Sequence, residues 1–177
     1  MPMPDTSTTL PVDPANACFG CGGANARGMH LEFEKDDDAR RIRGKFRVGS
    51  EYQGGPGFVH GGIIATLLDE VMGKVGRFRD IRTVTAELQI EYLRPVPVDE
   101  DLVVEGWEVE KQGRNLFHAG KIRSTSGAVL ARGKGRFVEI DPSIYYGRGY
   151  GRGDGSRPSS KDGNGSGRGP GSKPQQA

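Results

Sequence analysis

The feature that most constrains the fold is a single amphipathic helix pattern. In the other regular segments of the chain, apolar and polar residues alternate instead. The apolar residues of the helix pattern recur at i, i+1, i+4, i+5 and i+8, so that at about 100° per residue they form one continuous stripe. The stripe consists of Ile63, Ile64, Leu67, Leu68, Val71, Met72 and Val75. Such a helix has to bury its stripe against another layer of secondary structure. Gly73 and Gly76 weaken its far end.

Segments in which apolar and polar residues alternate, the pattern of β-strands, supply that other layer. They cover residues 29–34 and 41–48 before the helix, and 84–92, 102–109, 114–124 and 128–140 after it. In the segment 84–92 we expect Thr85 on a polar face, opposite the apolar face of Val84, Ala86, Leu88, Ile90 and Tyr92. Two strands, one long helix and four consecutive strands predict an α+β fold, with an antiparallel sheet packed on the helix.

The composition sets the extent of this domain within the 177 residues. From 142 to 177 the chain is almost entirely Gly, Ser, Pro and basic residues, which bury too little apolar surface to offset the entropy of ordering. We therefore predict a disordered tail over 142–177, a flexible segment over 1–16 and one folded domain over 17–141. Within a formal net charge of +2 the tail is basic and the domain mildly acidic, which gives no general case for nucleic-acid binding by the domain.

Targeting signals and cysteines indicate where the protein is located and whether it binds a metal. The N-terminus lacks the basic and apolar regions of a signal peptide, and no apolar run approaches the roughly 20 residues that span a bilayer, so we expect a cytoplasmic protein without membrane contacts. Cys18 and Cys21 form a lone Cys-x-x-Cys pair. Zinc needs about four ligands, and only His30, His60 and His118 are available to complete a set, so we expect a structural role and no metal.

A glycine-rich loop leads directly into the helix as GGPGFVHGG. The first turn of a helix has unpaired backbone N–H groups and the positive end of the helix dipole, and glycines let a ligand approach that backbone closely. The segment from His60 to Gly62 therefore suits an anion or an oxyanion. A plain turn with a loose N-cap is the alternative that geometry alone leaves open.

Two carboxylates lie on the polar side of the same helix. Asp69 is about 150° and Glu70 about 110° from the centre of the apolar stripe. The residues around them are small, which favours close packing of a second subunit there. A carboxylate desolvated in such an interface can serve as a base or a nucleophile, whereas a solvated polar face is the alternative.

The stretch HGGIIATLLDEVMG resembles the hotdog-fold acyl-CoA thioesterases of the phenylacetic-acid-degradation type, which include the human thioesterase-superfamily members. The opening CFGCGGANARGMHLEF and the strand TAELQIEYLRPVP are similar to the corresponding family segments. The resemblance implies a hotdog fold, in which an antiparallel sheet wraps one long central helix. It also implies a homodimer or a dimer of dimers with interfacial active sites, and no cofactor.

The resemblance assigns roles to four catalytic residues. Asp69 matches the acid that activates water or attacks the thioester carbonyl, and the Gly61 backbone N–H matches an oxyanion donor contributed by the partner subunit. His60 matches the histidine that shapes the loop and polarises the carbonyl. Thr85 matches a strand hydroxyl that orients water.

Further residues are candidates for substrate binding. Gly62 continues the oxyanion loop, and Gln53 stands near the position where some relatives carry Asn or Gln. Glu70 is the second candidate for the acid. Arg94 is a candidate for the phosphates of coenzyme A, as are Arg114 and Arg123, whereas His118 is expected to be an ordinary strand residue.

We therefore expect a thioesterase that hydrolyses a small-to-medium or aryl acyl-CoA to the acid and free coenzyme A. Three alternatives stay open. A non-catalytic protein could keep the acyl-CoA pocket, and another hotdog branch carries out dehydratase or hydratase chemistry on acyl thioesters. The Arg-Gly spacing of the tail, GRGYGRG, also allows contact with RNA.

Overall fold

The computed structural model of the chain describes residues 7–141 and 143. The predictions for residues 1–6, and for nearly all of the tail over 142–177, lie outside the described residues. Within the segment 1–16, Thr8–Thr9 pairs with residues 34–35 of a later strand.

The structure has the predicted α+β arrangement, with three strands before the helix where the sequence predicts two. Three strands come before the helix: β1 (Thr8–Thr9), β2 (Glu34–Asp36) and β3 (Arg41–Arg47). The helix α1 (Gly61–Gly73) is followed by β4 (Arg82–Tyr92), β5 (Asp101–Gln112), β6 (Asn115–Ser124) and β7 (Val129–Ile140). Two short 3₁₀ helices flank α1, at Ser50–Tyr52 and Lys74–Arg79. The α-helix ends at Gly73, where the sequence predicts that it weakens.

The strands form one antiparallel sheet in the order β1-β2-β3-β5-β6-β7-β4, so that β4 is an edge strand. The sheet packs on α1 through the predicted apolar stripe, of which Leu67, Leu68, Val71 and Met72 are fully buried. Gly106 on β5 lies directly beneath the helix, because a Cβ there would be only 2.9 Å from the carbonyl oxygen of Val71. None of the helices in the described residues is long and apolar enough to cross a membrane.

The predicted strand over 29–34 is wrong in its position. Of these residues only Glu34 lies in a strand, because the backbone of the preceding segment bonds to the cysteine loop. The N–H of Met29 donates to the Phe19 carbonyl at 2.8 Å, and that of Leu31 donates to the Gly20 carbonyl at 2.9 Å. The alternation instead reflects burial, since Leu31 and Phe33 both belong to the core.

The predicted faces of β4 are also wrong for the residues before its bulge. A β-bulge shifts the register between Thr85 and Glu87, so that the side chains before and after Ala86 do not follow one alternation. Thr85 pairs with the fully buried Phe137 on β7 and thus lies on the helix-facing side of the sheet. The bulge therefore turns the Thr85 hydroxyl toward α1.

Candidate active site

The start of α1 keeps one backbone donor available. His60 is the N-cap, and its Nδ1 accepts a hydrogen bond from the Gly62 N–H at 2.9 Å. The backbone N–H of Gly61 has no hydrogen-bond acceptor among the described residues. The Tyr92 hydroxyl donates to the Gly61 carbonyl at 3.1 Å, which ties the Gly61–Gly62 peptide to the end of β4. The free N–H of Gly61 lies on the preceding peptide, next to this contact.

The loop before the helix is shaped by its own side chains. The Gln53 Oε1 accepts a hydrogen bond from the Gly57 N–H at 3.2 Å, and the His60 N–H donates to the Tyr52 carbonyl at 2.9 Å. Gly54 packs on His60 so closely that a Cβ there would lie 3.2 Å from the His60 Cα. Gln53 therefore organises the loop.

A cleft opens beside the Gly61 peptide. Its volume is about 330 Å³, and its lining combines the loop, the first turns of α1 and the segment after β4: Phe58, Val59, Gly61, Ile64, Tyr92, Leu93, Arg94, Pro95 and Val96. Gly61 and the exposed Arg94 thus share one cleft. An apolar lining with one cation and one free N–H suits a ligand with apolar and anionic parts.

Asp69 and Thr85 meet across the gap between α1 and the edge strand. The Thr85 hydroxyl donates to the Asp69 Oδ1 at 2.7 Å. Burial raises the pKa of the Asp69 carboxyl above its usual value, the Thr85 hydrogen bond opposes this rise, and the Glu70 charge adds to it. A carboxylate that is held by one hydroxyl and partly desolvated is suited to general-base or nucleophilic chemistry.

Glu70 faces a different set of partners from Asp69. Its Oε1 accepts a hydrogen bond from the Cys18 thiol at 3.3 Å, and its Oε2 lies 3.3 Å from the Lys74 Nζ. Lys74 also donates to the Cys21 sulfur at 2.8 Å. Burial and the neighbouring Glu70 raise the pKa of the Cys21 thiol to about 12. The structure thus separates the two acids, and the cysteine loop packs against Glu70.

The remaining sequence candidates lie away from the cleft, on β6 or in the turn before it. His118 is buried on β6, with Nδ1 2.8 Å from the Met72 carbonyl oxygen, and burial lowers its pKa. Arg114 donates to the Glu139 carbonyl, and Arg123 forms an ion pair with Glu105. None of the three lines the cleft beside Gly61. His118 thus lies in a strand, as the sequence predicts, and its Nε2 is buried without a hydrogen-bond partner among the described residues.

Sequence reasoning missed Tyr92 and Lys74. Alternation makes Tyr92 only an apolar strand position, whereas in the structure its hydroxyl donates to the Gly61 carbonyl. Lys74 is four residues after Glu70, a spacing that predicts an ion pair on a helix and could have indicated it.

The free N–H and the acid are distant within one chain. Gly61 and Asp69 are eight positions apart on α1, which corresponds to about 12 Å of axial rise. One thioester carbonyl group cannot contact both within one chain.

The single helix wrapped by an antiparallel sheet is the hotdog fold, as the sequence resemblance predicts. Residues 56–131, from the glycine-rich loop to β7, match the Thioesterase superfamily. The described domain thus has the hotdog fold, and its segment 56–131 is similar to the thioesterase superfamily.

Individual relatives agree with this assignment of the fold. The chain is 38% identical to the acyl-coenzyme A thioesterase THEM4 of Rattus norvegicus over 104 residues, which are 58% of this chain and 45% of that protein. The crystal structure of the thioesterase superfamily protein RHA08564 is 37% identical, with a TM-score of 0.62, over 66% of this chain and 57% of that one. A hypothetical thioesterase from Streptococcus pneumoniae with coenzyme A has the same fold at 21% identity, with a TM-score of 0.55, over 56% of this chain and 81% of that one. The chain thus spans about half the length of the curated relatives it matches.

Proposed function

We propose that this protein is an acyl-CoA thioesterase, which hydrolyses a thioester to the free acid and coenzyme A. The observation that carries the proposal is the Asp69–Thr85 hydrogen bond, because it holds a partly desolvated carboxylate in the segment that matches the thioesterase superfamily. The similarity to proteins named acyl-coenzyme A thioesterase supports the substrate class.

In the proposed reaction Asp69 acts on the thioester carbonyl carbon, either by activating water or as the nucleophile. Thr85 positions this carboxylate through the 2.7 Å hydrogen bond. The Gly61 N–H stabilises the oxyanion that develops on the carbonyl oxygen, with the positive end of α1 behind it. His60 contributes by capping the helix and orienting the loop, because its Nδ1 already accepts the Gly62 N–H. Gly62 therefore supports the loop in this mechanism.

We further propose that a second copy of the chain completes each site. The separation of about 12 Å between Gly61 and Asp69 on one helix supports this, because the carbonyl carbon and its oxygen have to be contacted together. β4 is an edge strand of 11 residues, and Tyr92 and Leu93 near its end are 56% and 46% exposed. Light scattering on the full chain tests this part, and a monomer at assay concentrations would contradict it.

Arg94 is the proposed contact for the anionic part of the substrate. It lines the same cleft as Gly61 and is exposed. We propose a small-to-medium or aryl acyl group, which the sequence resemblance to the phenylacetic-acid-degradation type supports. Replacing Arg94 by Met is expected to raise KM for acyl-CoA while leaving kcat nearly unchanged.

The experiment that tests the activity is hydrolysis of short, long and aryl acyl-CoAs, followed by release of free thiol. Asp69→Ala is expected to lose about 10²- to 10⁴-fold in kcat, as for removal of a general base. Glu70→Gln distinguishes the two acids, because its loss should be much smaller if Asp69 acts on the carbonyl. A wild-type chain that hydrolyses none of the thioesters would contradict the proposal, and equal losses in the two variants would contradict the role of Asp69.

A further inference from the structure

The cysteine pair and Glu70 form a cluster of metal-ligating atoms outside the proposed active site. The two sulfur atoms and a carboxylate oxygen of Glu70 all lie within 4.8 Å of one another. The Glu70 side chain is only 14% exposed, and both cysteines are half-buried and free of a disulfide. Two thiols and one carboxylate on two different elements thus converge on one point.

One distance in the cluster is close to that of a tetrahedral zinc site. Zn–S bonds of about 2.3 Å and Zn–O bonds of about 2.1 Å place a sulfur and an oxygen ligand roughly 3.6 Å apart. The Cys18 Sγ lies 3.3 Å from the Glu70 Oε1. These two atoms thus need to separate by only about 0.3 Å to reach the tetrahedral ligand spacing.

The loop that carries the cysteines is built to approach Glu70. A Cβ on Gly20 would lie 2.5 Å from the Glu70 side chain, and a Cβ on Gly22 would lie 2.4 Å from the Cys18 backbone nitrogen. The Gly22 N–H donates to the Cys18 carbonyl at 3.0 Å, which closes the turn between the two thiols. Glycine at both positions is therefore required for a compact turn that directs two sulfurs at the helix.

The charges also balance for a divalent ion. Two thiolates and one carboxylate carry three negative charges, which a divalent cation and the Lys74 ammonium neutralise together. Lys74 lies 2.8 Å from the Cys21 sulfur and 3.3 Å from Glu70, so it can donate hydrogen bonds to the ligands. Sulfur ligands select zinc over the hard cations magnesium and calcium.

We propose that Cys18, Cys21 and Glu70 bind one zinc ion, which fastens the segment before β2 to helix α1. The three residues supply three of the four positions of a tetrahedral site, and the fourth is left to solvent. The sequence alone does not reveal this set, because Glu70 is 49 positions after Cys21 and only the fold brings it to the loop.

The test uses the untagged full-length chain and begins with its zinc content after purification and after removal of the metal by a chelator. Titration with cobalt(II) then reports the ligands, because the chain contains only two cysteines and any sulfur-to-cobalt charge-transfer absorption must come from them. We expect one equivalent of metal per chain, a charge-transfer band, and a higher Tm for the metal-loaded protein than for the apoprotein.

Matched variants distinguish this site from adventitious binding. Cys18→Ser and Glu70→Gln are expected to weaken the affinity for zinc at least ~10-fold, whereas Asp69→Asn, the adjacent carboxylate on the same helix, should leave it unchanged. Should a variant fail to fold, the chelator and cobalt titrations on the wild-type chain decide by themselves. Absence of the charge-transfer band, full metal binding by Cys18→Ser, or a Cys18–Cys21 disulfide in the freshly purified protein would overturn the proposal. None of these readouts depends on thioesterase activity.

Discussion

Deletion of the Gly61 backbone N–H is the sharpest test of the proposed oxyanion site, and the structure permits it through Gly61→Pro. Proline removes the N–H and is well tolerated at the first position of a helix, which is where Gly61 stands. The residue before a proline has to be extended, and His60 already is, with φ −60° and ψ 139°. No hydrogen bond within the described residues is lost, because this N–H has no acceptor there.

The expected loss of activity follows from the removal of one hydrogen-bond donor to the oxyanion. One oxyanion donor is worth about 2.7–4 kcal/mol in the transition state, so Gly61→Pro should reduce kcat by roughly 10²- to 10³-fold. The free energy of unfolding should change little, since the substitution leaves the capping by His60 in place and restricts the unfolded chain.

The matched control is Gly61→Ala, which keeps the N–H and adds only a Cβ. This Cβ would lie 3.6 Å from the Tyr92 ring, an ordinary contact distance. Both variants are compared with the wild type by thiol release from the best acyl-CoA and by thermal unfolding. If Gly61→Pro folds and its kcat remains within a few-fold of that of Gly61→Ala, the Gly61 N–H is not an oxyanion donor.

Three further predictions concern the Asp69–Thr85 contact and the core. Thr85→Val should lower kcat about tenfold through loss of the hydrogen bond to Asp69, and Thr85→Ser should restore it in the thiol-release assay. Gly106→Ala should reduce the free energy of unfolding by about 1–3 kcal/mol in denaturant titrations, because its Cβ meets the helix backbone, whereas Gly55→Ala, with open space around it, should not. Burial lowers the pKa of His118 in the folded protein below its usual value of 6.5. As the pH falls below 6.5, the unfolded chain therefore binds a proton at this histidine more readily than the folded chain does. The free energy of unfolding is then highest above pH 6.5 and decreases as the pH falls. Lowering the pH from 8 to 5 should therefore reduce the Tm of the wild type more than that of His118→Gln. Equal slopes of Tm against pH in the two proteins would contradict a lowered pKa of His118.

The helix and most of the sheet could be predicted because each has a clear period. The stripe is buried as expected from Ile64 to Val75, with Ile63 partly buried, and the four strands after the helix are present. Alternation alone could not predict which segments become strands of the sheet. The segment 29–34 alternates, but its backbone forms hydrogen bonds with the cysteine loop. Periodicity reports burial, whereas the partner of a backbone N–H depends on the tertiary fold.

The site could be predicted only in part, because its contacts cross the fold. The role of Thr85 came from resemblance, and the strand pattern placed it on the wrong face. One extra residue at a bulge reverses the faces of a strand, and the sequence gives no signal for the bulge at Ala86. The separation of Asp69 from Glu70 depends likewise on which segments lie beside each of them, and adjacent positions on a helix do not reveal it.

The distance between Gly61 and Asp69 along one helix has a consequence for mixtures of defective chains. In a two-fold dimer with shared sites, an Asp69→Asn chain still supplies its N–H, and a Gly61→Pro chain still supplies its carboxylate. Their mixed dimer would contain one intact site and one site with both defects, so that subunit exchange at equal concentrations recovers about one quarter of wild-type turnover. Two nearly inactive preparations should therefore complement each other, which chains with self-contained sites cannot do.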